Sequence, residues 1–236
     1  MVRINDTKES KIYMTIGING KGNVSLRQEV EEGTVGAVRR DWEVNGEKGT
    51  KWELTPPSLE GYISGIEIKK EETKGYGDRI LVTFENEVVV STKTTSYFGQ
   101  SLMRQLPGVD FTKEVKLTPY SYIPKGKTEE STGVSLRQGE GFEVKVGDQF
   151  FDFENKKSLK GIPESDFDWA TVEKWQKDKY WADLDTFLKN YITENVVPTI
   201  PAFESSKSSV VENSDYSSGG EPQFPDEDIN PEDIPF

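Results

Sequence analysis

Tyr120 and Tyr122 stand two residues apart in KEVKLTPYSYI (113–123), and Lys125 and Lys127 follow them at once. In an extended chain that spacing puts both rings on one side, about 7 Å apart. A second group gathers around Asn45-Gly46: Arg39, Arg40, Trp42, Lys51 and Trp52. A third comprises Lys69, Lys70, Lys74, Tyr76 and Arg79, with Lys93 further on. Aromatic faces stack bases, and ammonium and guanidinium groups follow phosphates, so such mixtures hold an unpaired polynucleotide without making or breaking a bond. The same residue types also suit an ordinary half-buried strand face. The interleaving gains weight only if another part of the chain points the same way.

Bond-breaking chemistry is poorly provided for. The chain has no Cys and no His, which excludes disulfides, thiolate zinc sites and thiol nucleophiles and removes the commonest general base. Glu140, Glu143 and Asp148, or Asp166 and Asp168, could be paired as an acid and a base or as metal ligands, but an acid-rich sequence produces such pairs freely. GKG (20–22) and GYG (75–77) lack the strand-to-helix setting of a phosphate loop. Asp226–Asp233 lacks the central Gly and final Glu of a calcium loop. The expectation is a protein that is not an enzyme and uses no cofactor or metal.

The second pointer lies at the C-terminus. Residues 204–236 carry nine acids and one base, net −8 of the chain's −13, leaving −5 for everything before them. Residues 204–225 are rich in Ser, Gly, Glu and Pro and poor in large apolar groups, so the sequence predicts a flexible tether there. Its end reads DEDINPEDIPF. Phe236 joins an aromatic ring to the terminal carboxylate, and Pro235 stiffens the approach to it. Ile234 precedes them, and Asp226, Glu227, Asp228, Glu232 and Asp233 supply charge that would steer toward a basic rim. A partner needs only an apolar pocket with a cation at its mouth.

Asp233-Ile234-Pro235-Phe236, preceded by acids, resembles the acidic tip of bacterial-type single-stranded DNA-binding proteins. The resemblance implies an OB-fold core that coats single-stranded DNA, a disordered linker, and a tip that recruits replication, recombination and repair proteins. It implies Phe236 and Pro235 as the main partner contacts. Asn230-Pro231 interrupts the acidic run. The body carries no sequence-level match of its own, and its greater length looks more like the single-chain DNA-binding proteins of phages. Two other readings stay open: a decoy that recruits through its tip without binding DNA, and a β-rich structural module with a solubilising tail.

The elements that must position these residues follow from periodicity. Lys11–Ile18 alternates Ile12, Met14, Ile16 and Ile18 with more polar neighbours, a strand pattern. Residues 41–54 read as a hairpin about Asn45-Gly46 with a loop longer than two residues. From Leu59 the order is strand (61–70), loop, strand (79–85), strand (87–94), helix (96–106), strand (113–123), loop, and a strand or bent pair (134–146). The β-β-β-α-β-β order is that of an OB-fold, a five-stranded Greek-key barrel, although a sandwich has similar elements. The sequence thus predicts a mostly β protein. An N-terminal β extension (1–58) packs on an OB-fold-like core (59–153), followed by a helical segment (154–203) and a disordered acidic tail (204–236). In the helix, Trp181, Leu184, Leu188 and Tyr191 share a stripe expected to pack on the barrel. VSLRQ occurs at 24–28 and 134–138 without matching flanks, which suggests two strands in similar settings or coincidence. The N-terminus lacks a signal-peptide core, and no apolar run approaches the roughly 20 residues of a membrane span. The expected place is the cytoplasm of a bacterial cell or a phage-infected host, with the oligomeric state left open.

Overall fold

A computed structural model of the chain describes residues 11–18, 23–44, 46–71, 77–123, 125, 128, 130–155, 157–165 and 167–202. The acidic tail and tip, Lys74, Tyr76, Lys127 and Asp166 lie outside the described residues. All described residues belong to one compact unit, Met1–Ser205. It is mostly β. No helix among the described residues is long and apolar enough to cross a membrane.

Seven strands form the larger sheet: β1 (Ile12–Ile18), β2 (Val24–Val30), β3 (Val38–Val44), β4 (Glu47–Leu54), β6 (Ile63–Lys69), β7 (Arg79–Phe84) and β8 (Val88–Lys93). Their spatial order is β3-β4-β2-β1-β8-β7-β6. Every pairing is antiparallel except β1 with β8, which is parallel. Strand β5 (Leu59–Gly61) joins β9 (Val115–Tyr122), β10 (Ser131–Gln138) and β11 (Val144–Lys145) in a second sheet of order β11-β10-β9-β5. A short ribbon pairs β12 (Phe151–Asp152) with β13 (Lys157–Ser158). Helix α1 (Tyr97–Gln105) lies between β8 and β9 in sequence, and α2 (Lys174–Tyr191) closes the unit.

β5 and β6 act as one strand that changes sheets. Leu59–Gly61 pairs with β9 and Ile63–Lys69 with β7. Gly61, at φ +150°, makes the bend at a conformation that side-chain-bearing residues rarely adopt. The hairpin between β3 and β4 has a two-residue connection, shorter than the sequence suggested, because Val44 pairs with Glu47. Gly46 supplies the positive φ that such a turn requires.

The sheets stay open, which corrects the expected five-stranded closed barrel. Two edges that closure would join are already taken. The free edge of β8 is filled by β1, so the N-terminal strand is an interior member of the sheet rather than an appendage. The edge of β10 is capped by α1. Gln105 is buried; its Nε2 donates to Val134 O at 2.6 Å and its Oε1 accepts from Leu136 N at 2.9 Å. The Ser101 hydroxyl donates to Val134 O and accepts from Val134 N. Val134 stands opposite Pro119 on β9, a residue with no N–H to offer a neighbour. Register turns the backbone groups of Val134, like the N–H of Leu136, away from β9 toward α1, so the missing N–H of Pro119 costs no ladder bond.

The core is the even-numbered side of the large sheet. Met14, Ile16, Leu26, Ile66, Ile80, Val82 and Val90 face Leu102, Met103 and Leu106 of the α1 region and Leu117, Val134 and Leu136 of the second sheet. Gly99 lets α1 sit hard on β8: a Cβ there would lie 2.1 Å from Lys93 O. α2 contributes Leu184 and Leu188, and the stripe continues through Ile192 and Val196. This shifts the expected stripe by part of a turn. Trp181 is 40% exposed and Tyr191 half-buried against Phe150. Both VSLRQ copies lie in strands, β2 and β10, and both bury their leucine, Leu26 and Leu136.

Candidate nucleic-acid interface

Strand register decides which side chains share a face, because successive residues point to opposite sides. Core positions occupy one side of the large sheet, so the alternate positions form its outer face. On β1 these are Tyr13, Thr15 and Gly17, and on β2 Ser25, Arg27 and Glu29. β4 contributes Glu47, Gly49, Lys51 and Glu53, and β3 Arg40 and Trp42. β8 brings Ser91 and Lys93, β7 Arg79, Leu81 and Thr83, and β6 Glu67 and Lys69. Of the residues expected to hold a polynucleotide, Arg40, Trp42, Lys51, Lys69, Arg79 and Lys93 thus lie on one surface.

At one end of this surface three cations stand in a row. Lys69 pairs with Arg79, and Arg79 with Lys93, each directly opposite across its ladder. Like charges in that position repel, and Glu67 stands on the same face two residues from Lys69. The Arg79 Nε donates to the Ser91 hydroxyl at 2.7 Å, which fixes the guanidinium on the sheet. The neighbouring carboxylate, Asp78, is engaged elsewhere. Lys189 of α2 reaches its Oδ2 at 2.6 Å and holds Asp185 at 2.8 Å. The hydrogen bond from Lys189 keeps the Asp78 carboxyl below its usual range. Burial alone would lower the Lys189 ammonium, but the bonds to Asp185 and Asp78 outweigh it and leave it raised.

The middle of the face has small residues, the partly exposed Thr15 and Gly17, over Ser25, Val89 and Ser91, which are buried. Planar groups lie flat over glycines. The Arg27 guanidinium covers Gly17, where a Cβ would lie 3.0 Å from Nη2, and its Nη1 donates to Ile18 O. The Trp42 indole covers Gly49, where a Cβ would lie 2.5 Å from the ring. Tyr13 is 61% exposed. Toward β3 the cations are paired: Arg40 with Glu53 at 2.8 Å, and Lys51 with Glu29 at 2.6 Å. Glu53 is buried and also lies 3.9 Å from Arg27. Burial depresses Arg27, Glu53 opposes that, and Arg40 adds to it. The β3–β4 end is therefore nearly neutral, and the positive charge concentrates at β6–β7–β8.

The remaining expected residues are placed elsewhere. Arg39 and Trp52 pair with each other on the opposite face, and Arg39 is bound to Asp41 at 3.0 Å. Lys70 is exposed just past β6, and Lys125 is exposed beyond β9. Tyr120 and Tyr122 do share a side of β9, with ring centroids 5.8 Å apart. They belong to the second sheet, where Tyr120 lies across Gly133. The hairpin set and the Lys69 set occupy opposite edges of the large sheet rather than one short patch. Sequence reasoning missed Tyr13 and Arg27. The alternation that identified β1 already placed Tyr13 opposite its apolar residues, and that was the available signal. Of the imagined acid pairs, Asp148 is bound to Arg104 at 3.0 Å. No cluster of three potential metal ligands occurs among the described residues.

No family model, curated protein or solved structure matches this chain.

Proposed function

We propose that this protein binds single-stranded DNA without sequence specificity and recruits replication, recombination or repair proteins through its C-terminal tip. The observation that carries the first half is the Lys69–Arg79–Lys93 row on a sheet face that also bears Arg27, Tyr13 and Trp42. Ammonium and guanidinium groups take phosphates, and the exposed ring of Tyr13 and the half-buried one of Trp42 take bases. The second half rests on the sequence of Asp226–Phe236 alone.

Strand order supports the reading at fold level. A bent first strand pairs with β7 and β9, a meander β6-β7-β8 follows, then a helix, then the β9–β10 hairpin. That order resembles the connectivity of an OB-fold opened along the seam between its third and fifth strands, with β1 inserted at the gap. In OB-folds the outer face of the second and third strands binds oligonucleotides, and here those strands are β7 and β8.

The test is oligothymidylate binding across a salt series. For single strands, log affinity falls with log salt with a slope of about −0.7 per phosphate neutralised. Binding that is tight in dilute buffer, with a slope of about −2 or steeper, supports the proposal. Absence of binding at low salt removes it.

A further inference from the structure

Beyond the sheet face, three clefts run into one another along α1. One, of about 600 Å3, lies between Thr95–Phe98 and Trp181. A second, of about 580 Å3, shares Tyr97, Gln100 and Trp181 with it and passes Tyr120 and Phe153. A third, of about 490 Å3, shares Phe98 with the first and Tyr120 with the second, and runs along Tyr122 to Ile18 and Val24. Six aromatic side chains therefore line one furrow. Four of them are left well exposed: Tyr97 at 73%, Phe153 at 72%, Tyr122 at 56% and Trp181 at 40%. Three of them are braced by other rings, Phe153 on Phe151 at 4.9 Å, Trp181 on Trp169 at 5.5 Å and Tyr122 on Tyr120 at 5.8 Å. Bracing keeps the exposed faces in place without a ligand.

We infer that this furrow takes the bases of the same DNA strand after it leaves the cationic row, an inference that rests on the proposed single-strand binding. Continuity favours that occupant. The furrow begins at Thr95, two residues past Lys93, and its far end reaches Ile18 and Val24, next to Gly17 and Ser25 of the outer face. Ring spacing favours it as well, since Tyr120 and Tyr122 at 5.8 Å suit neighbouring bases of an extended strand. Charge sets the mode of contact. Arg104 is held by Asp148, and the other charged residues of the walls are one base, Lys145, and two acids, Asp178 and Glu130. The furrow attracts no phosphate. Its contribution is stacking, and stacking is nearly indifferent to salt.

The experiment compares wild type, Tyr97→Ala/Trp181→Ala and Arg79→Glu/Lys93→Glu on oligothymidylates of about 6 and about 25 nucleotides, lengths that bracket the footprint of one such domain. Phe153→Ala serves as a second furrow variant at a separate turn, and thermal melts establish that each variant is folded. The furrow variants are expected to weaken binding to the long oligomer about tenfold or more, with the salt slope and the short-oligomer affinity unchanged. A long oligomer carrying abasic sites should show no difference between wild type and furrow variants. If folded furrow variants bind the long oligomer like wild type while the sheet variant does not, the inference is wrong and the DNA-binding reading survives; an apolar peptide as occupant gives that result. A loss equal at both lengths, or a changed salt slope, also overturns it. If wild type binds neither oligomer in dilute buffer, the reading beneath it fails too.

Discussion

Arg79 on β7 and Lys93 on β8 stand directly opposite each other with side chains on the same, outer face of the sheet. Two cations in that relationship oppose the fold slightly, by a few tenths of a kcal/mol and up to about 1 kcal/mol. Replacing one by a carboxylate should relieve that repulsion. Arg79→Glu is therefore expected to leave the melting temperature unchanged or slightly higher, while weakening oligothymidylate binding about tenfold or more at low salt. Affinity and stability moving in opposite directions would mark the row as a ligand site. A variant that loses both together would mark Arg79 as structural, through its bond to Ser91.

The capped edge of β10 gives a prediction about the fold itself. Gln105 satisfies two buried backbone groups at once, Val134 O and Leu136 N. Gln105→Met keeps the volume and removes both partners. Val134 O keeps the Ser101 hydroxyl as a donor, whereas Leu136 N is left without a partner at about 1–3 kcal/mol, so the variant should lose about that much in chemical denaturation. Gln105→Glu retains an acceptor for Leu136 N but places a carboxylate oxygen against Val134 O, and it should be no better than Met at neutral pH. If Gln105→Met unfolds at the wild-type midpoint, α1 does not act as the closing element of this sheet.

Much of this was legible in the sequence, and what was hidden has a physical reason. Alternation in β1 and the apolar runs of β6 to β8 identified strands because one face of each is buried. Helix α1 was legible from the Phe98, Leu102, Leu106 stripe and the Pro107 stop. Pairing partners were not, because alternation fixes which way a side chain points and leaves its neighbour unstated. Nothing in Ile12–Ile18 says that it lies parallel to β8 and pre-empts barrel closure. The candidate face was half-visible for the same reason. Lys69, Arg79 and Lys93 were found by type, but their alignment is a matter of register. Trp181 was misjudged because a helical stripe at Trp181, Leu184 and Leu188 looks the same whether its first residue is covered or not.

The Asp78–Lys189–Asp185 link between β7 and α2 carries a pH dependence. The Asp78 carboxyl, held low by the hydrogen bond from Lys189, has a folded-state value beneath that of the unfolded chain. Its stabilising share is therefore complete above the unfolded value, about 3.9, and is lost as pH falls through the folded one. Asp78→Asn should lower stability by about 1 kcal/mol at pH 7 and flatten the acid limb below pH 4. Urea melts at pH 7, 4 and 3 measure both effects. A wild-type difference that stays constant down to pH 3 would assign the link no electrostatic role.

The net −8 of residues 204–236 leads to a final prediction about binding in dilute buffer. Tethered carboxylates raise the local negative potential around any phosphate-binding surface on the same chain, and added salt screens that field, with a Debye length of about 10 Å at 0.1 M. Deleting residues 226–236 is expected to tighten oligothymidylate binding several-fold at about 20 mM salt, with the gain disappearing near 0.3 M. Phe236→Ala removes the ring and changes no charge. It should leave DNA affinity as it was while abolishing capture of a purified replication or repair enzyme that accepts an acidic, phenylalanine-ended peptide. Isothermal titration at the two salt concentrations separates these effects. Equal affinity of full-length and truncated protein at low salt would confine the tail to recruitment, and retained capture by Phe236→Ala would remove the tip as the docking element.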